Sequence, residues 1–174
     1  MAPESRRTFP FHFDCSVAVD APAEAVFARL DDQRLLSAHM SRSSWMMAGS
    51  SMSIELDSAK GRAIGSVIRM TGRFVGIPLA LEETVTERIS PSRKVWETVG
   101  TPKLLVIGPY RMGFEIAPQG DASRLRVFID YSPPPGFAGR VLGPIFGPVY
   151  ARWCTGRMAR DAAQHFSNAN VNDQ

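Results

Sequence analysis

Three glutamates invite a chemical reading first. Glu83, Glu87 and Glu97 lie in two successive runs, PLALEETVTERI and RKVWETV, that read as β-strands. Counted by strand parity, all three point inward, Glu83 and Glu87 alongside Leu79, Leu81, Val85 and Ile89. A carboxylate turned into an apolar hollow loses solvation, so its pKa rises and it can serve as an acid or a base. Glu83 is the most central of the three and is the candidate catalytic residue, with Tyr110 or Tyr131 as its acid–base partner. A competing reading stands beside this one. A β-bulge would reverse the parity, and a strand end would leave the carboxylates in water.

Other chemistries lack their spacing. His12, His39 and His165 are far apart and form no HxH or HExxH pattern, so no metal is expected. There is no GxSxG, and no GxGxxG or GxxxxGK[ST] phosphate loop, so no cofactor is expected either. Cys15 and Cys154 lack a CxxC partner and read as small buried thiols in a reducing compartment. The net charge of +3 comes mostly from scattered arginines, without the basic stripe that nucleic-acid binding needs. The longest uncharged runs, Ser43–Ile54 and Val141–Ala151, fall short of the roughly 20 residues that span a bilayer. Residues 1–10 hold no apolar run of a secretory signal. These features predict a soluble, cytoplasmic chain for which peripheral membrane contact is the remaining membrane option. The oligomeric state is left open.

The elements that must position these residues follow from patterning. At 174 residues the chain fits one domain with a core large enough to dispense with disulfides. FHFDCSVAV alternates, with Phe11, Phe13, Cys15, Val17 and Val19 on one face, and predicts a half-buried strand. DAPAEAVFARL predicts a helix, with Pro22 in its first turn, Asp20 as a cap and Glu24 at the positive end of its dipole. Asp31-Asp32 restarts a second short helix through about Met40. Six β-rich runs follow between residues 52 and 132, joined by short turns such as SAKG and APQGDA, which force an antiparallel meander. A long amphipathic helix then ends the chain. On a helical wheel Leu142, Ile145, Phe146, Val149 and Trp153 form a bulky stripe, expected to cover the sheet, with Met158 and Cys154 on the far side. Its start is interrupted by Gly143-Pro144 and Gly147-Pro148. Pro148 suits a first helical turn, and Pro144 a preceding turn or a kinked extension from Phe137.

A helix lying across a curved sheet leaves a gap beside it, which side chains or a ligand can fill. Parity names candidate walls for a ligand-binding cavity of roughly 300–1,000 Å³. Tyr110, Met112 and Phe114 share one face with Leu104 and Val106, and Ile129 and Tyr131 share another with Leu125 and Val127. Met70 belongs to a third set with Ile64, Ile68 and Phe74, and Leu81 to a fourth. Phe146, Val149 and Trp153 would close the cavity from the helix, and Trp45 and Met47 would guard its entrance from a serine-rich loop. Any single Met or Val in these sets reads better as plain core, and it is Tyr110, Tyr131 and Trp153, whose polar atoms need partners when buried, that point to a pocket.

The order of elements resembles a known superfamily. A strand leading into DAPAEAVFARL, a two-helix insertion, a six-strand meander and a closing helix ending YARWCTGRMARDAAQHF are similar to the START-like (SRPBCC) proteins. These include polyketide cyclases/dehydrases, lipid-transfer domains and the birch-pollen allergen. The sharpest local likeness is VAVDAPAEAVFARL at 17–30. The resemblance implies an α+β helix-grip fold: a curved seven-stranded antiparallel sheet wrapped on a long C-terminal helix, with two short helices between strands 1 and 2. It covers residues 10–168, leaving 1–9 and 169–174 as flexible termini. It implies a cavity rather than a reaction. Three functions are therefore expected in turn. The first is binding of a small hydrophobic molecule (lipid, aromatic or polyketide-like) between sheet and helix. The second is a cyclase/dehydratase-type enzyme using Glu83. The third is a protein- or membrane-surface module contacting through Ser43–Ile54.

Overall fold

The alternation of FHFDCSVAV forms β1 (Phe11–Val19), whose odd residues turn toward the core while the even ones stay exposed. A computed structural model describes residues 8–36, 52–74 and 76–172 of the chain. Two helices follow β1: α1 (Ala23–Asp31) and α2 (Gln33–Leu36). Pro22, rather than Asp20, occupies the N-cap position of α1, without a side-chain cap. Asp32 caps α2 as its position suggests, accepting from the backbone N–H of Arg34 at 3.0 Å and of Leu35 at 3.4 Å. Residues 37–40 lie outside the described part.

Six strands complete the sheet: β2 (Met52–Leu56), β3 (Val67–Phe74), β4 (Ile77–Ile89), β5 (Arg93–Thr98), β6 (Tyr110–Gln119) and β7 (Ala122–Tyr131). They pair antiparallel in the order β1-β7-β6-β5-β4-β3-β2, so the first strand closes onto the last. Two stretches expected as strand are not. Residues 63–66 turn, which leaves Ile64 exposed, and 104–109 run irregularly after a single bridge between Ala80 and Lys103.

The last element, α3 (Phe137–Asn172), is one helix that runs through both prolines. Its buried side is not the bulky stripe. Leu142, Ile145, Phe146 and Val149 face solvent, and Ala151, Cys154, Thr155, Met158, Ala159 and Ala162 are buried. The physical reason is proximity. Gly139, Gly143, Gly147, Ala151, Thr155 and Ala159 recur every four residues and form a ridge of small side chains. The backbone of α3 thereby approaches β7 and the prolines that follow it. A Cβ on Gly147 would lie 3.0 Å from the Tyr131 ring, and one on Gly139 would lie 2.1 Å from the carbonyl oxygen of Pro134. Each Gly-Pro pair thus has its glycine packed inward, Gly147 against Tyr131 of β7 and Gly143 against Pro133 and Pro134, and its proline in water. There the carbonyls that lack an N–H partner can be hydrated. Gly139→Ala should therefore lower stability by about 1–3 kcal/mol, although alanine is the better helix former. Chemical denaturation of the two proteins measures this.

The core lies between the concave face of the sheet, α1 and the C-terminal half of α3. Phe27 of α1 meets Phe114 edge-to-face at 5.7 Å, and Trp96 meets the same ring at 6.4 Å. A buried ion pair ties α1 to the sheet. Lys94 is fully buried; its Nζ lies 3.0 Å from Asp31 Oδ1 and donates to the Asp31 main-chain oxygen at 3.1 Å. Arg88 completes the triad, 2.8 Å from Asp31 Oδ2.

Candidate functional site

Register brings the site together. Glu83 of β4 pairs with Thr98 of β5. The Thr98 hydroxyl accepts from the Tyr110 backbone N–H at 3.0 Å, which holds the first residue of β6 in line with both. The Tyr110 hydroxyl reaches across β5 and donates to Glu83 Oε1. The other carboxylate oxygen, Oε2, is buried and makes no hydrogen bond among the described residues. Glu83 itself is 1% exposed.

That oxygen borders a hollow between sheet and terminal helix. Its walls are Met70, Met112, Ile129 and Ile107 on one side, Gln33 and Leu36 from the two ends of α2, and Tyr150, Cys154 and Met158 from α3, with Trp96 beside the carboxylate. About 360 Å³ is free of atoms, some of it continuous with solvent, and a water-sized sphere can centre itself in about 30 Å³ of that space. This is room for about two waters, less than the cavity expected from sequence. A second hollow of about 260 Å³ adjoins it across Leu36 and Met158, which line both.

The electrostatics follow from burial. Loss of solvation raises the Glu83 carboxyl to about 7, against the lowering influence of the Tyr110 hydroxyl, the Trp96 indole and the Lys94 charge. Burial also pushes the Tyr110 and Tyr150 hydroxyls well above their ordinary range and the Cys154 thiol up to about 12, with Glu83 adding to each. At neutral pH the hollow therefore holds one carboxyl poised between its two forms, surrounded by groups that keep their protons. It is equipped for hydrogen bonding and proton exchange rather than nucleophilic attack by sulfur. Among the described residues no three His, Cys, Asp or Glu side chains converge on a point where a metal could sit.

The residues singled out from sequence fall into several groups. Glu83, Met70, Tyr110, Met112 and Ile129 line the hollow. Leu81, Phe114 and Tyr131 are buried in the surrounding core without lining it. Trp153 is half-buried against Tyr150, with ring centroids 5.9 Å apart. Phe146 and Val149 face away from the sheet, a correction that follows from the small-residue ridge. Trp45 and Met47 lie outside the described residues. The other two glutamates are also corrected. A bulge after Val85 shifts the register of β4, so Glu87 emerges on the outer face and binds Arg93 at 3.0 Å. Trp96 takes the inner face of β5, which turns the adjacent Glu97 outward toward Arg111 at 3.6 Å. Sequence reasoning missed Gln33, Leu36, Trp96, Ile107, Tyr150, Cys154 and Met158. The four-residue spacing of the small helix residues carried a signal for the last three, because it rotates the buried face toward them.

Taken together, a curved antiparallel sheet gripping a long terminal helix over a partly polar hollow defines the helix-grip class of START-like proteins. Within it, residues 10–166 match the polyketide cyclase / dehydrase and lipid transport family, to which the chain belongs. No curated protein matches the chain. Among solved structures it is similar to norcoclaurine synthase from Thalictrum flavum in complex with a transition-state analogue, at 15% identity and a TM-score of 0.62 over 95% of this chain and 99% of that one. It is also similar to TTHA0849 from Thermus thermophilus, at 14% identity and a TM-score of 0.65 over 91% and 98% of the respective chains. Ara h 8.0201 matches at 11% identity and a TM-score of 0.61, again over 91% and 98%. At such identities these likenesses establish the fold. Among the described residues no helix is long and apolar enough to cross a membrane.

Proposed function

We propose that the chain binds a small, mostly apolar molecule carrying one hydrogen-bond donor, with the donor directed at Glu83. The observation that carries this reading is the buried Oε2, which makes no hydrogen bond among the described residues and faces a wall of methionine, aliphatic and aromatic side chains broken by Gln33 and Cys154. A polar atom buried without a partner costs about 1–3 kcal/mol, which a donor on the ligand would recover. The family, whose description includes lipid transport, supports an apolar ligand. Room for it would come from Met158, an unbranched side chain standing between the two hollows. The free thiols of Cys15 and Cys154 suit a reducing, cytoplasmic setting.

The test uses paired probes. 2-Naphthol and naphthalene compete for the site against an uncharged polarity-sensitive dye. The wild type should prefer the naphthol by roughly tenfold, one hydrogen bond's worth, and Glu83→Leu should abolish the preference while retaining dye binding. An equal preference in the two proteins, or no dye binding at all, would refute the assignment.

A second reading, a cyclase- or dehydratase-type enzyme, is favoured by one specific observation: the Tyr110 hydroxyl donates to Glu83, a buried carboxyl that loss of solvation raises to about 7. A carboxyl so placed can take a proton from a bound carbon acid and return it to a departing hydroxyl. Turnover of a polyketide-like substrate that disappears in Glu83→Gln, with binding retained, would establish it.

A further inference from the structure

Among the described residues nothing covers the bulky stripe of α3. Ile145 is 59% exposed, Val149 54%, Phe146 48%, Val141 47% and Leu142 41%, and Pro144 and Pro148 lie exposed beside them. Few monomeric surfaces display so many adjacent large apolar side chains without a use for them. The surroundings show what kind of surface would fit. Between residues 132 and 160 there is no aspartate or glutamate, while Arg140, Arg152, Arg157 and Arg160 all fall in that span. Arg157 is paired with Asp161 at 3.1 Å. Arg140, Arg152 and Arg160 are exposed and form no ion pair among the described residues. At about 100° per residue, Arg152 and Arg160 continue the same strip of the helix that carries Val141, Ile145 and Val149. An apolar patch on the N-terminal half of the helix is thus followed along its axis by guanidinium groups that form no ion pair among the described residues.

We infer that this face of α3 docks the protein on an anionic lipid bilayer. Ile145, Phe146 and Val149 enter the boundary between headgroups and acyl chains, and the arginines reach the lipid phosphates. A second copy of the chain fits the face less well. Stripe against stripe would set arginines near arginines, with no carboxylate on this part of the helix to relieve them. The surface expected for membrane contact from sequence, Ser43–Ile54, is a different segment, and the present inference does not depend on it. Nor does it depend on the ligand reading of the hollow, since the docking face points away from the sheet.

Flotation with vesicles tests this inference. The protein should float with mixed phosphatidylcholine–phosphatidylglycerol vesicles and stay behind with phosphatidylcholine alone, and added salt should release it. Ile145→Asp with Phe146→Asp should abolish flotation. Both sites are exposed, so an unchanged circular dichroism spectrum and melting profile would confirm that folding is intact. Arg152→Gln with Arg160→Gln should weaken binding by roughly twenty-five-fold, about fivefold for each arginine. Equal binding to neutral vesicles, or flotation that survives Ile145→Asp with Phe146→Asp, would overturn the inference. So would an absence of flotation with a dimer in sedimentation that the same substitutions dissolve, which would assign the face to a second copy.

Discussion

Replacing Lys94 with alanine is expected to cost about 3–5 kcal/mol of folding stability, the usual loss when one partner of a buried ion pair is removed. Lys94 is fully buried and its ammonium meets both the side chain and the main-chain oxygen of Asp31 at the end of α1. Burial by itself would raise the Asp31 carboxyl, but bonds from Arg88 and Lys94 outweigh it and hold the group below its ordinary range. Burial lowers the Lys94 ammonium, and Asp31 opposes that shift. Without Lys94 the carboxylate keeps Arg88 alone, and a cavity opens beneath α1. Against a typical domain stability of about 5–15 kcal/mol such a loss is large. The double substitution Asp31→Leu with Lys94→Met should recover most of it, because two apolar groups leave no fully buried charge uncompensated and Arg88, 31% exposed, keeps access to water. Urea unfolding at neutral pH measures both. A Lys94→Ala protein as stable as the wild type would mean that the triad does not tie α1 to the sheet.

The second large effect is a fall in stability as pH rises through neutrality. Glu83 is raised from 4.5 to about 7 in the folded protein. Below the unfolded value the group is protonated in both states and costs nothing. Between roughly 4.5 and 7 the unfolded chain releases the proton while the folded chain retains it, so stability declines with each step of pH. Above the folded value the penalty is complete, about 3 kcal/mol for a shift of this size. Glu83→Gln should remove the decline, leaving a protein less sensitive to pH between 5 and 8 and more stable than the wild type at the alkaline end. Other groups shift in the same experiment, Asp57 and the His165 imidazole among them, both lowered and both common to the two proteins. Asp14 and Asp31 are held low, so their contribution is already present above pH 5 and is lost on further acidification. The difference between wild type and Glu83→Gln therefore isolates the one carboxyl. Parallel stability curves for the two proteins would show that Glu83 is not buried in an unsolvated place.

Much of this architecture was legible in the sequence because it is written in short-range periodicity. The alternation of FHFDCSVAV, the short turns of the meander and the likeness of residues 17–30 to a strand–helix start all depend on neighbours a few positions apart, and the sheet and helices took the expected order. Glu83 reached the hollow because the first half of β4 keeps an undisturbed alternation. Glu87 did not, because one extra residue at the bulge reverses every side chain beyond it, and a bulge leaves no mark in a two-residue period. The terminal helix was read by hydrophobicity alone, which weights bulky residues. The fold instead weighted closeness, choosing the glycine and alanine ridge because Tyr131 and Pro134 leave no space for more. Lys94 and Asp31 were invisible for another reason: a lysine in a strand reads as solvated until a helix more than sixty residues earlier in the chain supplies its carboxylate.

The central claim is that an apolar ligand with one donor group meets Glu83 in the hollow between sheet and terminal helix. Its most direct measurement is the carbon-13 resonance of the Glu83 carboxyl, identified by its loss in Glu83→Gln and titrated with and without 2-naphthol. The expected midpoint is near 7 in the free protein, with a shifted resonance and a lower midpoint when the naphthol hydroxyl donates to the charged form. A midpoint in the ordinary carboxylate range, unmoved by the probe, would contradict it.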